Sequence, residues 1–187
     1  MEANDNTTIH YTIRFYSLWH CGSGTSAGAD IDALVIKDKN GMPFVPGKTL
    51  KGLIREAAET MLQLQHEDEA LQAMAEVFGE EGGRMGCVHF SDAKIDRREY
   101  DAIVANEAQE HLYTKLTTTS IDADGVAKDH SLHSVEAVVP VTLHAEMTCV
   151  PAQWSSVVSR SLGMIKVIGT KRNRGLGRCD IKEGGEA

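Results

Sequence analysis

An α+β domain is the fold class that the sequence predicts, and three observations predict it. Residues 9–19 and 141–149 alternate apolar and polar side chains, as strands with one buried face do. Residues 50–62 and 154–165 repeat apolar side chains at helical spacing. A further short apolar stretch follows each helix, at residues 87–95 and again near the C-terminus. The resulting order, β-α-β-β-α-β, is that of the ferredoxin-like or RRM-like fold.

Size and composition indicate one domain spanning residues 1–187, since no internal repeat or linker divides the chain. No apolar run approaches the roughly 18 residues that a membrane span needs. The polar, acidic N-terminus is unlike a secretory signal, so we expect a cytoplasmic protein without membrane contact. The net charge of −8 argues against a domain that coats its whole surface with nucleic acid, so any RNA site must be a local basic patch.

The four cysteines have long spacings and form no C-x-x-C pair. They are Cys21, Cys87, Cys149 and Cys179. Each falls in or beside a predicted strand. The pattern therefore favours reduced core thiols over a zinc site.

The first predicted strand, residues 9–19, leads into a glycine- and serine-rich loop that starts at Gly22. The side chains expected to face the core are Ile9, Tyr11, Ile13 and Phe15. Residues 31–36 are expected to form a second short extended piece, which the turn at Asn40-Gly41 ends.

The first helix is expected to begin at Gly47, directly after Pro46. Its regularly spaced apolar residues are Leu50, Leu53, Ile54, Ala57, Ala58, Met61 and Leu62. Another face of the helix carries the cations Lys48, Lys51 and Arg55. A second helix is expected over residues 69–78, and residues 96–110 are charged and either helical or loop.

Residues 113–139 form a long polar segment with few predicted core residues. Asp124-Gly125 inside it is a hairpin turn signal. Such a long insertion in a compact domain is usually functional or disordered. A clear strand at 141–149 follows, and then a last helix after Pro151 with Trp154, Val157, Val158, Leu162 and Ile165 as its buried stripe.

The start of the first helix is a candidate anion site, because free N–H groups and the helix dipole attract negative charge. The G-K-T run at residues 47–49 resembles the end of a nucleotide-binding P-loop, but the leading glycine is one place too early. Pro43 and Pro46 also remove N–H donors that such a loop needs. What remains is a cationic helix start, or alternatively a solvated helix face.

The loop GTKRNRGLGRC, residues 169–179, is a second basic segment. Its cations are Lys171, Arg172, Arg174 and Arg178, and its glycines are Gly169, Gly175 and Gly177. Glycine lets a backbone approach a phosphate closely, and arginine binds phosphate oxygens bidentately. The alternative is a basic turn that serves solubility. Two cationic, glycine-flanked segments in an acidic chain favour an RNA-binding role.

The segment IDALVIKDKNGMPFVPGKTLKGLIREA resembles the N-terminal signature of the RAMP superfamily of CRISPR proteins. The matching positions are Gly41, Pro43, Val45, Pro46, Gly47, Thr49, Leu50, Lys51, Gly52, Ile54 and Arg55. Lys48 departs from the signature, which usually has a small residue there. The loop at 169–179 resembles the glycine-rich loop of the family, and SIDADGVAKDHSLHSVEAVVP resembles the thumb hairpin of type III backbone subunits, so residues 113–139 are interpreted as a thumb-like insertion.

The resemblance implies a backbone subunit of a type III interference complex with a role in antiviral defence. Its partners would be guide RNA, target single-stranded RNA, further copies of itself and other effector subunits. The protein would hold the guide through its phosphate backbone while base pairing reads sequence. The expected RNA-binding residues are His20, Lys48, Lys51, Arg55, Gly169, Lys171, Arg172, Arg174, Gly175, Gly177 and Arg178.

Cutting subunits of this family carry an aspartate after the first strand, and the resemblance places it at Asp32. Its implied role is to activate the attacking 2′-hydroxyl or to hold a divalent metal, most simply Mg²⁺, at the scissile phosphate, leaving a cyclic phosphate. Asp30 is the nearest competitor, and a loop aspartate that bonds its own backbone is the structural alternative. An endoribonuclease active within the assembled complex is the first hypothesis.

Two other functions stay open. One is a purely structural guide-binding subunit of the same family. The other is a guide-processing endoribonuclease with His20 as general base, although such enzymes usually carry two ferredoxin-like domains. His130 and His133, in the thumb-like segment, are further candidates for RNA contact.

Overall fold

The structure is a computed structural model that describes residues 6–27, 30–80, 82–119 and 132–184. The strands are β1 (Asn6–Phe15), β2 (His89–Phe90), β3 (Tyr113–Thr118), β4 (His133–Val138), β5 (Thr142–Pro151) and β6 (Cys179–Glu183). The helices are α1 (Gly47–Gln65), α2 (Asp68–Phe78), α3 (Arg97–Ala105) and α4 (Ala152–Met164). Short 3-10 turns cover Gln109–Leu112 and Arg172–Arg174. Within the described residues, no helix is long and apolar enough to cross a membrane.

A four-stranded antiparallel sheet in the order β2-β5-β1-β6 forms one layer of the molecule, and α1 and α4 cover one face of it. Buried residues of both layers join in one core, among them Ile13 of β1, Ile54 of α1 and Leu162 of α4. The predicted α+β class with antiparallel strands is therefore confirmed.

The first strand is shorter than predicted. Ile9 to Phe15 alternate as expected, with the four inward side chains at most 3% exposed. The strand ends at Phe15, and Trp19 instead pairs with Val138 at the end of β4. The Trp19 ring stacks on Phe15, with ring centroids 4.6 Å apart. The end of the first predicted strand thus links the main sheet to β4.

Helix α1 begins at Gly47, as predicted. The Gly47 amide donates to Asp92 Oδ1 at 2.8 Å, and a Cβ on Gly47 would stand 2.2 Å from the Phe90 carbonyl oxygen. The strand predicted at 87–95 is regular only at His89–Phe90. Beyond it the chain stays beside β5 through an isolated antiparallel bridge between Lys94 and His144, and Ala93 pairs with Val45. Residues 96–110 contain α3. Asp96 caps the start of this helix, because its side chain accepts a hydrogen bond from the Arg98 amide.

Strands β3 and β4 form a separate antiparallel hairpin. The segment carrying these strands contributes more buried residues than predicted, because five of the six residues of β4 are buried. Residues 31–36 make isolated bridges rather than a regular strand, and Ala33 pairs in parallel with Val135. Residues 120–131, which include Asp124-Gly125 and His130, lie outside the described residues. The extent of a thumb-like insertion stays a prediction.

Candidate nucleic-acid interface

The two basic segments meet at one cavity of about 480 Å³. Lys48 comes from the start of α1, and Arg172 comes from the 3-10 turn in the loop after α4. The rest of the wall is formed by Cys21, Gly22, Ser23, Ile36, Pro46, Thr49, Gly52, Leu53, Gly169 and Thr170. A helix start and a basic loop that are far apart in sequence therefore line the same space. We call this space the junction cavity.

The loop after α4 is held by close backbone packing. Gly169 has φ +101°, and a Cβ there would lie 2.4 Å from the His20 carbonyl oxygen, which accepts the Thr170 amide at 2.9 Å. Gly177 has φ +75°, and a Cβ there would lie 1.9 Å from the Ile168 carbonyl oxygen. These two glycines are required by the packing of the loop, whether or not RNA approaches them. Gly175 has open space around it.

The cations of the interface have different surroundings. Lys48, Arg172, Arg174 and Arg178 are exposed, whereas Lys51 and Lys171 are half-buried. Among the described residues, none of these six has an acidic partner within salt-bridge distance. Their charge is therefore available to an anion.

Lys48 and Arg172 each line a second cavity in addition to the junction cavity. Lys48 also lines a cavity of about 210 Å³ beside β2, and Lys51 lines that second cavity with it. Arg172 borders a third cavity, of about 340 Å³, together with Glu56 and Lys166. Lys51, Lys48 and Arg172 thus lie along three cavities that share lining residues, and we call this line of cations the track.

Arg55 has a partner within the fold. Its Nη1 donates to the Gly79 carbonyl oxygen at 3.3 Å and so caps the end of α2. The structure gives this residue a role in joining α1 to α2, and its predicted RNA contact stays a prediction.

Asp32 is exposed and lies beside β4. Its Oδ2 accepts the Ser134 amide at 2.7 Å, and its own amide donates to the Ser134 carbonyl oxygen at 2.8 Å. His133 Nδ1 lies 3.7 Å from the same Oδ2. Asp30 is also exposed, and its amide donates to the Ala27 carbonyl oxygen at 3.4 Å. The Asp32 carboxylate is thus fixed in orientation by the backbone of β4, and not by the local backbone that the structural alternative names.

The chain's own donors do not complete a metal site at Asp32. Among the described residues, no group of three or more His, Cys, Asp or Glu side chains is arranged to hold an ion. One carboxylate is too few ligands for Mg²⁺, which prefers six oxygens. The remaining ligands of an ion at Asp32 would have to be RNA oxygens and water.

His20 is buried, with 3% of its surface exposed. Its Nδ1 donates to the Glu136 carbonyl oxygen at 2.6 Å, and its Nε2 lies beneath Gly22. A general base must reach the proton that it removes, so this placement gives no support to the guide-processing alternative. RNA contact by His20 stays a prediction.

Cys21, in the wall of the junction cavity, is a neutral thiol. Burial raises its pKa to about 12, with a smaller contribution from Cys179. All four cysteines are free, which agrees with the predicted reduced thiols.

Sequence reasoning missed a charged network behind Asp32. Glu136 on β4 is 8% exposed and accepts from both the Val35 amide and Lys37 Nζ. Lys37 Nζ in turn lies 3.8 Å from the centroid of the Tyr113 ring. Burial raises the pKa of Tyr113, and the Glu136 and Asp38 charges add to the shift. A single glutamate in the apolar run SVEAVV was the signal that could have identified this network.

The sequence matches the family model of the RAMP superfamily over residues 12–180. The fold resembles a chain in the cryo-EM structure of the type III-B Cmr-beta bound to cognate target RNA, with a TM-score of 0.70 and 14% identity over 95% of this chain and 97% of that chain. A chain of the apo type III-B Cmr-beta gives the same TM-score and identity, over 96% and 98% of the two chains. At this identity the likeness concerns the fold. No curated protein matches the sequence significantly.

Proposed function

This chain belongs to the RAMP superfamily, and from that premise we propose that it is a backbone subunit of a type III CRISPR effector complex. Its partners are guide RNA, target RNA, further copies of itself and other effector subunits. The resemblance to chains of type III-B Cmr-beta, in one case bound to target RNA, supports this assignment. We assign the four-stranded sheet with α1 and α4 to the ferredoxin-like arrangement, and the β3–β4 hairpin to the base of the thumb.

The junction cavity carries the RNA-binding part of the proposal. Lys48 and Arg172 face one space although they come from opposite ends of the sequence. Arginine and lysine without acidic partners attract a phosphodiester backbone, and such contacts are independent of base identity. The start of α1 adds its own partial positive charge. A guide strand that follows this track would be held in register while its bases stay free to pair.

Asp32 is the proposed catalytic residue for cutting of target RNA. Its carboxylate is exposed and held by the Ser134 amide. As a general base it would take the proton of a target 2′-hydroxyl. The 2′-oxygen then bonds to the adjacent phosphorus, and the 5′-oxygen of the next nucleotide leaves. The products are a cyclic phosphate and a 5′-hydroxyl end.

A divalent ion, Mg²⁺, is part of the proposal only as an ion shared with RNA. Asp32 would contribute one carboxylate oxygen, a ligand type that Mg²⁺ prefers. When bound, the ion supplies positive charge beside the scissile phosphate. The protein's part is to hold the Asp32 carboxylate in place.

Substitution of Asp32 in the assembled complex tests the proposed function. We expect Asp32→Ala to lower the rate of target cutting about 100-fold or more, since general-base catalysis contributes about 10² to 10⁴. Guide RNA content and target affinity should not change. Asp30→Ala is the matched control and should cut normally. Unchanged cutting by Asp32→Ala would reject catalysis by this residue and leave the non-cleaving guide-binding subunit.

A further inference from the structure

Residues 32–37 lie along β4 and are fastened to it at successive positions. The Asp32 amide donates to the Ser134 carbonyl oxygen at 2.8 Å, and the Glu136 amide donates to the Ala33 carbonyl oxygen at 3.0 Å. These two hydrogen bonds flank the parallel bridge between Ala33 and Val135. The backbone pairing with β4 is therefore short. The other edge of the segment pairs with residues 21–27, where the Leu34 amide donates to the Thr25 carbonyl oxygen at 3.0 Å and the Ile36 amide donates to the Cys21 carbonyl oxygen at 2.8 Å.

The Glu136 side chain binds the segment to β4 at two further positions. Its Oε2 accepts the Val35 amide at 3.0 Å, and its Oε1 accepts Lys37 Nζ at 2.8 Å. The carboxylate thus extends the contact between the segment and β4 to Val35 and Lys37, beyond the backbone hydrogen bonds of Asp32 and Ala33. The Glu136 carbonyl oxygen also accepts His20 Nδ1 at 2.6 Å. One residue therefore joins β4 to the Asp32 segment and to the chain that follows β1.

The Glu136 end of the Glu136–Lys37 pair is buried, whereas Lys37 keeps part of its side chain in solvent. The Glu136 side chain is 11% exposed and that of Lys37 is 33% exposed. The Tyr113 ring lies next to Lys37 Nζ, with 3.8 Å to its centroid. When one member of a buried ion pair is removed, the other is left as an uncompensated charge. When Lys37 is removed, the buried Glu136 carboxylate is the charge left unpaired, and the segment that it binds would shift to let it reach water.

From this geometry we propose that Glu136, with Lys37 as its counter-ion, is a positioning residue that fixes the Asp32 carboxylate on β4. The inference rests on the proposed function of Asp32. Catalytic groups must be held close to their productive geometry by supporting side chains. A displacement of about 1 Å at a reacting group can lower a rate about 100-fold. Glu136 acts on the reaction only through the segment that it holds.

The first test is amide hydrogen exchange by NMR on the full chain without RNA. In Glu136→Gln the shape is kept, but one acceptor oxygen is replaced by a donor that faces Lys37. We expect the amides of Val35 and Ser134 to exchange faster than in the wild type, while the Ala145 amide in β5 exchanges as before. Lys37→Met should have the same effect. The exposed matched controls are Glu59→Gln and Lys39→Met.

The second test is single-turnover cutting of target RNA by complexes assembled with each variant. We expect Glu136→Gln and Lys37→Met each to lower the cutting rate about 10- to 100-fold at unchanged target affinity. Lys37→Arg keeps the cation and should restore cutting. The double variant should be no slower than either single one, because the pair acts as a unit.

Unchanged exchange at Ser134 in Glu136→Gln would overturn the proposal, even if cutting fell, since the effect would then not pass through the Asp32 segment. Wild-type cutting by Glu136→Gln would overturn it as well. Full cutting by Asp32→Ala is a different result: it rejects the proposed catalysis, and with it a positioning role in catalysis, while the exchange data still decide whether Glu136 holds the segment.

Discussion

At the scale of single residues, a charge contributes to the fold or to the interface according to whether it has a partner. Arg55 is bound to the Gly79 carbonyl oxygen, and Lys37 is bound to Glu136. Lys48 and Arg172 have no acidic partner among the described residues. A cation that already has a partner would have to break that contact to bind phosphate. The unpaired cations of the junction cavity carry no such cost.

Asp38 is a partnered charge whose role depends on pH. Partial desolvation raises its pKa, but hydrogen bonds from the Tyr100 hydroxyl and from the Met42 and Asn40 amides outweigh that effect, so the pKa lies below its usual range. A lowered pKa in the folded state stabilises the protein above the unfolded pKa of about 3.9. The stabilisation is lost as the pH falls through the folded pKa.

We therefore expect Asp38→Asn to reduce the free energy of unfolding most at neutral pH. The difference between wild type and variant should shrink as the pH falls below the unfolded pKa of about 3.9 and through the lower folded pKa, because the unfolded chain binds a proton there before the folded protein does. Urea unfolding at several pH values measures this. A difference that stays constant with pH would show that the carboxylate charge does not contribute.

At the scale of elements, the start of α1 is fixed by the strand beside it. The Gly47 amide is bound to Asp92, and the Gly47 Cα packs against the Phe90 carbonyl oxygen. These contacts fix the position of the start of α1 relative to β2, and Lys48 at this start lies in the wall of the junction cavity. The contact leaves no room for a side chain at the first residue of the helix.

Two glycines of α1 should respond in opposite ways to alanine. Gly47→Ala places a Cβ 2.2 Å from the Phe90 carbonyl oxygen, and we expect it to destabilise the fold by about 1–3 kcal/mol through overpacking. Gly52 has nothing within 4 Å of a built Cβ, so Gly52→Ala should stabilise the helix by about 0.5–1 kcal/mol. Urea denaturation measures both. Equal effects of the two substitutions would contradict the packing assigned to Gly47.

Helices α1, α2 and α4 were predictable because their signals are local. The start of α1 follows from Pro46 and from the spacing of its apolar residues, and both are read from adjacent turns. The end of β1 was not predictable in this way. Trp19 continues the apolar pattern, but its partner is Val138, which only the folded chain brings near. The same holds for the region after β2, where Asp92 accepts the Gly47 amide and Ala93 pairs with Val45, both from residues 45 or more positions away in sequence.

In the candidate site, too, local features could be predicted and long-range contacts could not. The basic residues and Asp32 could be selected from motif and charge. Their arrangement could not, since Lys48 and Arg172 meet only through the packing of the glycine loop on His20. Glu136 was missed because its partners Val35 and Lys37 lie about 100 positions before it, at separations of 101 and 99. Buried polar contacts over such distances leave little trace in a local pattern.

At the scale of the whole molecule, the charge is unevenly distributed. The chain has 27 acidic and 19 basic residues, yet the junction cavity and the loop beside it present several unpaired cations. Acidic surface elsewhere repels a phosphodiester chain and so discourages binding outside the track. A negative net charge is therefore compatible with RNA binding, provided that the affinity comes from few contacts at one place.

The salt dependence of RNA binding tests this distribution. Each phosphate contact to single-stranded RNA contributes about 0.7 to the slope of log affinity against log salt concentration. We expect Lys48→Ala and Arg172→Ala each to lower the slope by about one contact, and the double variant by about two. Arg97→Ala is the matched control, because Arg97 on α3 is 93% exposed and lies near Asp101.

The probe is a uniform-sequence single-stranded RNA bound to the full chain over a range of salt concentrations. If Arg97→Ala lowered the slope as much as Lys48→Ala does, RNA would be bound by diffuse surface charge. In that case the acidic body could not direct the strand, and the junction cavity would lose its role. A slope that falls only for the cavity variants means that the strand is bound where α1 begins and the glycine loop packs on His20.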